Sequence, residues 1–252
     1  MNRKHFNLAL SIGTPILLLA AWEVAARAGA IDTRFFSSPA AIFEEFVAMT
    51  ISGELLNHTA VSVVRVVVGF LIGTVLGMVL GLAIGLSPVV SAIFKPLVDA
   101  TFPIPKVGLL PLVIILFGLG EGSKYAIIAI AVFYLVLINT VSGVRQIERI
   151  YIDVGRNYHA SRMMMFTDVA FPGALATIMA GMKISMGVSL IIIVTAESLA
   201  AKSGIGYLIW TTWQIFEVEK MYVGLLMSAI LGFAFAMLLD WLERVLIPWK
   251  RA

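Results

Sequence analysis

Asp153-Val154-Gly155-Arg156-Asn157-Tyr158-His159-Ala160-Ser161, then Arg162, three methionines at 163–165, Val169-Ala170-Phe171-Pro172-Gly173-Ala174 and Gly181, is the stretch on which the reading of this chain turns. It is polar and basic, it has helical spacing, and long apolar segments lie on both sides of it. A structured helix kept inside a short connection between apolar segments is a contact element for another protein. The flanking segments are long enough to cross a bilayer, so the chain is all-α and polytopic.

Composition supports that class. Of 252 residues, 60% are hydrophobic and 13% charged, against about 25% charged in a soluble domain. The surroundings this implies are a lipid bilayer, with no sign of a nucleic-acid partner. There is no Cys, which removes disulfides, thiol chemistry and thiolate metal sites. His5, His58 and His159 are far apart, so no metal centre is expected. The basic start and the apolar run from Leu8 resemble a secretory signal. The run continues to about residue 26, however, and no small-residue cleavage site follows it, so a first span is expected.

A bilayer core of about 30 Å takes roughly 20 apolar residues per helix. Six segments qualify as spans of a single domain: 8–26, 61–86, 107–119, 125–142, 174–196 and 221–243. The third is short, and its lead-in Phe102-Pro103-Ile104-Pro105-Lys106, with Pro111 after it, predicts a broken or kinked helix. Basic residues favour the cytoplasmic side. With the N-terminus inside, that side collects Arg3, Lys4, Lys95, Lys106, Arg145, Arg149, Arg156, Arg162, Lys250 and Arg251. The other side collects Arg27, Arg34, Lys124, Lys202 and Lys220. Both termini and residues 143–173 are therefore expected in the cytoplasm.

Outside the spans, Ser38-Pro39 starts an amphipathic helix over 38–47. Residues 203–210 read as an interfacial or re-entrant piece, with Tyr207, Trp210 and Trp213 suited to the membrane interface. The second span carries Gly69, Gly73, Gly77, Gly81 and Gly85, one ridge on which a neighbouring backbone can approach closely. That ridge is either intrachain packing or a moving interface. Arg65 and Glu197 are charged residues within spans, and such residues mark function or snorkel to the interface. Asn139, Ser185 and Ser189, with Thr140, either line a polar path or hydrogen-bond their own helix backbone.

Residues 147–166 are expected to form one helix. Ile150, Val154, Tyr158, Ser161 and Met165 fall on one contact face, with Arg149, Arg156 and Arg162 in water. Such a helix can insert into a partner's groove, or lie on the inner leaflet. The methionines suit a surface that repacks between states, and Pro172 is expected to break the chain before the fifth span.

This pattern resembles the EAA loop of ABC importer permeases, through which the permease docks on its ATPase. Asp153-Val154-Gly155 stands for the first triplet, Ala160-Ser161-Arg162 and Phe171-Pro172 match the later part, and Gly181 follows. His159 stands where that family usually has glycine, at which position a side chain meets the positive-φ restriction. Further likeness, to the nitrate/sulfonate/taurine/bicarbonate type, lies in Ser38-Pro39, Gly53-Glu54-Leu55, His58, Ser62, Arg65 and Gly69-Phe70. It continues in Pro105, Leu110-Pro111-Leu112, Phe117-Gly118, Ser123-Lys124, Ala196-Glu197-Ser198 and Ser203-Gly204-Ile205-Gly206-Tyr207-Leu208. The resemblance implies a type I importer permease fold in a bacterial inner membrane, a homodimer, two ATPase subunits and an extracytoplasmic binding protein. It also implies docking through Asp153, Val154, Gly155, Tyr158, His159, Ala160, Ser161, Met164, Met165 and Pro172. ATP and Mg would sit on the ATPase, with no cofactor on this chain. The solutes implied are small oxyanions, sulfonates including taurine, or aromatic and heterocyclic nutrients.

Two other classes fit less well. A stand-alone secondary transporter or channel would show inverted repeats or paired carboxylates at mid-membrane. An intramembrane enzyme would cluster His with Ser or acids inside the spans. Gly118-Leu119-Gly120-Glu121-Gly122-Ser123-Lys124 mimics a nucleotide loop but has the wrong spacing.

Overall fold

The computed structural model describes residues 3–251, with the side chains of 3–9, 12, 162, 250 and 251 outside that description. The basic groups of Arg3, Lys4, Arg162, Lys250 and Arg251 counted above, and His5, therefore lie outside the described residues. Among the described residues there is no strand. The α-helices are α1 (Arg3–Arg27), α2 (Thr33–Phe36), α3 (Pro39–Ile51), α4 (Glu54–Leu86), α5 (Pro88–Thr101) and α6 (Leu110–Phe117). They continue with α7 (Glu121–Arg145), α8 (Arg149–Asn157), α9 (Arg162–Met164), α10 (Phe171–Ala200), α11 (Ile205–Gln214) and α12 (Val218–Leu246). A π-helix, Met165–Ala170, joins α9 to α10.

Among the described residues, four helices are long and apolar enough to cross a membrane: α4, α7, the joined segment Met165–Ala200, and α12. α1 has 25 residues, about 37 Å at helical rise. The expected cap of α3 is present: Ser38 Oγ accepts from the Ala41 amide at 3.2 Å, and Pro39 opens the helix. α4 begins at Glu54, earlier than the expected 61. His58 is consequently inside a long helix and not outside the spans.

α7 is the central post. α4 lies against it along the whole glycine ridge. A Cβ at Gly69 would sit 2.6 Å from Ile128 Cβ, at Gly77 2.6 Å from the Phe133 carbonyl, and at Gly85 2.7 Å from Val144 Cβ. The ridge is therefore intrachain packing. α10 takes another face of α7, where a Cβ at Gly143 would meet the Ala174 carbonyl at 2.9 Å and one at Gly181 would meet Asn139 Cβ at 2.5 Å.

The third span differs from the expected 107–119. α5 and α6 run end to end beside α7, antiparallel to it. At one end Arg145 Nη2 donates to Ser91 Oγ at 3.1 Å. Farther along, Val98 packs with Leu137 and Ile84, and Tyr134 donates to Thr101 Oγ1 at 2.8 Å. At the far end Phe117 lies against Gly122. The crossing element is thus two half-helices, α5 and 107–117, broken by Pro103 and Pro105. The break falls beside Tyr134, about 20 Å from the start of α7 and about 17 Å from its end at helical rise. Lys106 is therefore at mid-depth and not on the cytoplasmic surface. α5 escaped the sequence reading because Lys95 and Asp99, an ion pair one turn apart, give it an amphipathic look.

If α4 and α7 depend on direct backbone contact, Gly77→Leu should overpack the seam. The expected cost is about 1–3 kcal/mol or more, read as a lower thermal midpoint of the purified chain in detergent. A midpoint within error of the parent would mean that the seam yields.

Candidate functional site

Two polar regions stand apart from the apolar packing, one at each end of the bundle. The first is the segment from Arg149 to Gly173. α8 ends in a Schellman turn: the His159 amide donates to the Arg156 carbonyl at 3.0 Å and the Ala160 amide to the Gly155 carbonyl at 2.9 Å. The turn needs a left-handed residue, and His159 supplies it at φ 53, a conformation glycine adopts without steric cost. Ser161 then caps α9, its Oγ accepting from the Met164 amide at 3.2 Å. The single helix expected over 147–166 is therefore two, because this turn and cap intervene. Pro172 does not break the chain either. The helix runs on through it, from the π turn Met165–Ala170 into α10.

The expected contact face is divided accordingly. Ile150, Val154 and Tyr158 remain exposed on or just after α8, Tyr158 with 85% of its surface free. Met165 belongs to the π-helix and packs its sulfur on Gly155, where any side chain would collide with it. Asp153, Arg149 and Arg156 are exposed, as are Ser161, Met163 and Met164. Tyr151, Val154, Tyr158, Met164 and Pro172 line an apolar groove of about 460 Å³ whose further wall is Trp249. Sequence reasoning missed Trp249, because nothing local relates it to a loop some eighty residues earlier.

The second region is a buried knot between α4, α7, α10 and the start of α11. Arg65 and Glu197 are 3% and 0% exposed. Arg65 Nη1 donates to Glu197 Oε1 at 2.8 Å and to the Ser203 carbonyl at 2.6 Å, while its Nε and Nη2 donate to Glu121 at 2.7 and 2.6 Å. Glu197 also accepts from Ser62 Oγ at 2.8 Å and from the Gly206 amide at 2.9 Å. The Ile205 amide donates to Ser62 Oγ at 2.8 Å and the Gly204 amide to His58 Nδ1 at 3.0 Å. The Ser203-Gly204-Ile205-Gly206 motif gains a physical reason here. A Cβ at Gly204, whose φ is 116, would strike the Glu197 carboxylate, and one at Gly206 would strike the Val194 carbonyl.

Arg65 and Glu197 are thus joined in a buried clasp. Ser185 and Ser189 are fully buried within the protomer and bond the Met182 and Ser185 carbonyls of their own helix at 3.0 and 2.7 Å. Asn139 likewise donates to the Leu135 carbonyl at 2.8 Å. Of the five residues expected to line a path, Asn139, Ser185 and Ser189 thus bond their own helix backbone and Arg65 and Glu197 bond each other. Lys183, near the middle of α10, pairs with Asp240 and Glu243 of α12.

A long apolar helical bundle with an exposed helical loop at one end is a membrane permease architecture, and the sequence comparisons agree. The chain belongs to the family of binding-protein-dependent transport system inner membrane components, whose model matches residues 73–252. It is 34% identical over 238 residues to the putative aliphatic sulfonates transport permease protein SsuC of Escherichia coli (strain K12), covering 94% of this chain and 90% of SsuC. It is 32% identical over 250 residues to the taurine transport system permease protein TauC of the same strain, covering 96% and 90%. The fold is that of a chain from the inward-facing MetNI methionine ABC transporter, with TM-score 0.64, 17% identity, and 81% of this chain and 98% of that one covered.

Glu197→Ala should cost about 3–5 kcal/mol, since it leaves the buried Arg65 half-paired. The check is thermal unfolding of the purified chain, and an unaltered midpoint would remove the clasp's structural role. His159→Gly should relieve about 1 kcal/mol of left-handed cost and slow amide exchange at His159 and Ala160 about fivefold. Faster exchange in the glycine variant would mean that the turn is not under strain.

Proposed function

We propose that this chain is the permease subunit of an ATP-driven importer for small organic anions of the sulfonate class. It works as a homodimer with two ATPase subunits and an extracytoplasmic binding protein. The observation that carries the reading is the exposed apolar face of α8, with Tyr158 free beside the Trp249 groove, on a chain of this transport family. A helix presented in this way fits a groove on a partner. Asp153, Val154, Gly155, Tyr158, His159, Ala160, Ser161, Met164, Met165 and Pro172 form or support the docking surface. ATP and Mg are held by the ATPase.

Mechanically, the packing of Met165 on Gly155 ties α8 to the π-helix, and the π-helix continues into α10. ATPase closure on α8 would therefore tilt α10 as part of a two-state rocking of the dimer. Both termini and the docking loop face the cytoplasm. The sulfonate class is supported by the likeness to SsuC and TauC.

Asp153→Lys and Gly155→Trp should abolish taurine or alkanesulfonate uptake while the chain still reaches the membrane. In mild-detergent purification a stoichiometric P-loop ATPase should accompany the parent chain and be lost from both variants. Parent-level uptake in either variant, or a chain that purifies alone even after crosslinking in the membrane, would return α8 to a helix lying on lipid.

A further inference from the structure

The break between the half-helices sets an unusual group at mid-depth. Lys106 Nζ donates to the carbonyls of Thr101, Phe102 and Ile104 at 3.2, 2.8 and 3.0 Å, ending α5 with a positive charge at its negative dipole end. It stands 4.1 Å from the centre of the Tyr134 ring. Among the described residues no carboxylate pairs with it, whereas Lys95 and Lys220 each have one and Lys183 has two. Carbonyl dipoles and a ring face hold an ammonium in place, but they leave its net charge uncancelled. A bare charge inside a membrane segment is expensive and marks an ion or substrate pathway.

Beside this ammonium is a cavity of about 540 Å³, walled by Leu76, Phe117, Ile130 and Phe133 and bordered by Lys106, Tyr134 and Thr101. The walls are almost wholly hydrocarbon. The polar groups are gathered at the lysine, where the Tyr134 hydroxyl donates to Thr101 Oγ1 at 2.8 Å and Thr101 donates on to the Leu97 carbonyl at 2.6 Å. A ligand that satisfies both halves has an anionic oxygen head and a short apolar body.

We propose that this cavity is a binding site for an amphiphilic organic anion, with the head on Lys106 and on the Tyr134 hydroxyl, which turns from Thr101 to donate to it, and the alkyl part against Leu76, Phe117 and Phe133. An incoming anionic oxygen takes one Lys106 donor from the Thr101 carbonyl, the longest of the three bonds. The site deepens the importer reading by giving the sulfonate class a resting place in the permease itself. A phospholipid could supply the same chemistry from the bilayer. The site and the importer reading fail separately, because ATPase copurification does not depend on Lys106.

The test uses the full chain in phosphatidylcholine nanodiscs, titrated calorimetrically with hexanesulfonate and with hexanol as the uncharged control. Hexanesulfonate should bind saturably and hexanol should not. Lys106→Gln should weaken binding about tenfold, the loss of one charge-assisted contact, and Lys106→Arg should largely restore it. Tyr134→Phe keeps the ring under the ammonium, so it tests the hydroxyl if Lys106→Gln melts early; it should weaken binding a few-fold. Native mass spectrometry of the chain from its own membranes separates the two sources. Phosphatidylglycerol retained by the parent, lost in Lys106→Gln and displaced by hexanesulfonate identifies a lipid occupant. Hexanesulfonate binding with no retained anionic lipid identifies a transported solute. Equal affinity for hexanol, no binding of hexanesulfonate, or binding indifferent to both Lys106→Gln and Tyr134→Phe overturns the site.

Discussion

Direct backbone contact between α4 and α7 is the constraint from which the rest of this bundle hangs. Lipid tails are as apolar as leucine, so burying hydrocarbon between two spans gains little in a membrane. What remains is close van der Waals packing, and glycine at Gly69, Gly73, Gly77, Gly81 and Gly85 lets α7 side chains and carbonyls come within touching distance at every turn. With α7 fixed in this way, Gly143 and Gly181 set α10 on another face. The broken pair α5 and α6 fills a third.

Charge is handled differently at each level of the bundle. At the α11 end, Arg65 spreads its guanidinium over two carboxylates and a carbonyl, and Glu197 collects the remaining donors. Every partner there is protein, which suits a clasp. In the middle of α10 Lys183 answers two acids on α12. At mid-depth Lys106 meets only carbonyls and rings. Lysine is thus paired with acids at Lys183 and capped by backbone carbonyls at Lys106 and Lys124.

Much of this was legible in the sequence, for identifiable reasons. Long apolar runs gave α4, α7, α10 and α12, and Ser38-Pro39 gave the start of α3, because both signals are local. The glycine ladder was visible as a ridge, though not the helix it faces. The clasp was seen as two separate charged residues. Their pairing crosses 132 positions and has no local trace. The third span was misplaced since two prolines concealed that residues on either side cross together. His159 was recognised at a glycine position, but its left-handed geometry follows only from the turn that Gly155, Arg156 and Ala160 build around it. Trp249 had no signal at all.

The π-helix at Met165–Ala170 has a consequence for how such a chain can diversify. A π stretch accommodates an extra residue inside an otherwise continuous helix. Residues before and after it are consequently out of phase with a single 3.6-residue repeat. The azimuth of the surface ahead of it, at Met163 and Met164, is set separately from that of the stripe by which α10 grips α7. Gain or loss of one residue in this stretch would turn one face relative to the other and leave both compositions untouched. An exposed surface can in that way be re-aimed toward a different partner while the buried lattice of glycines behind it stays as it is.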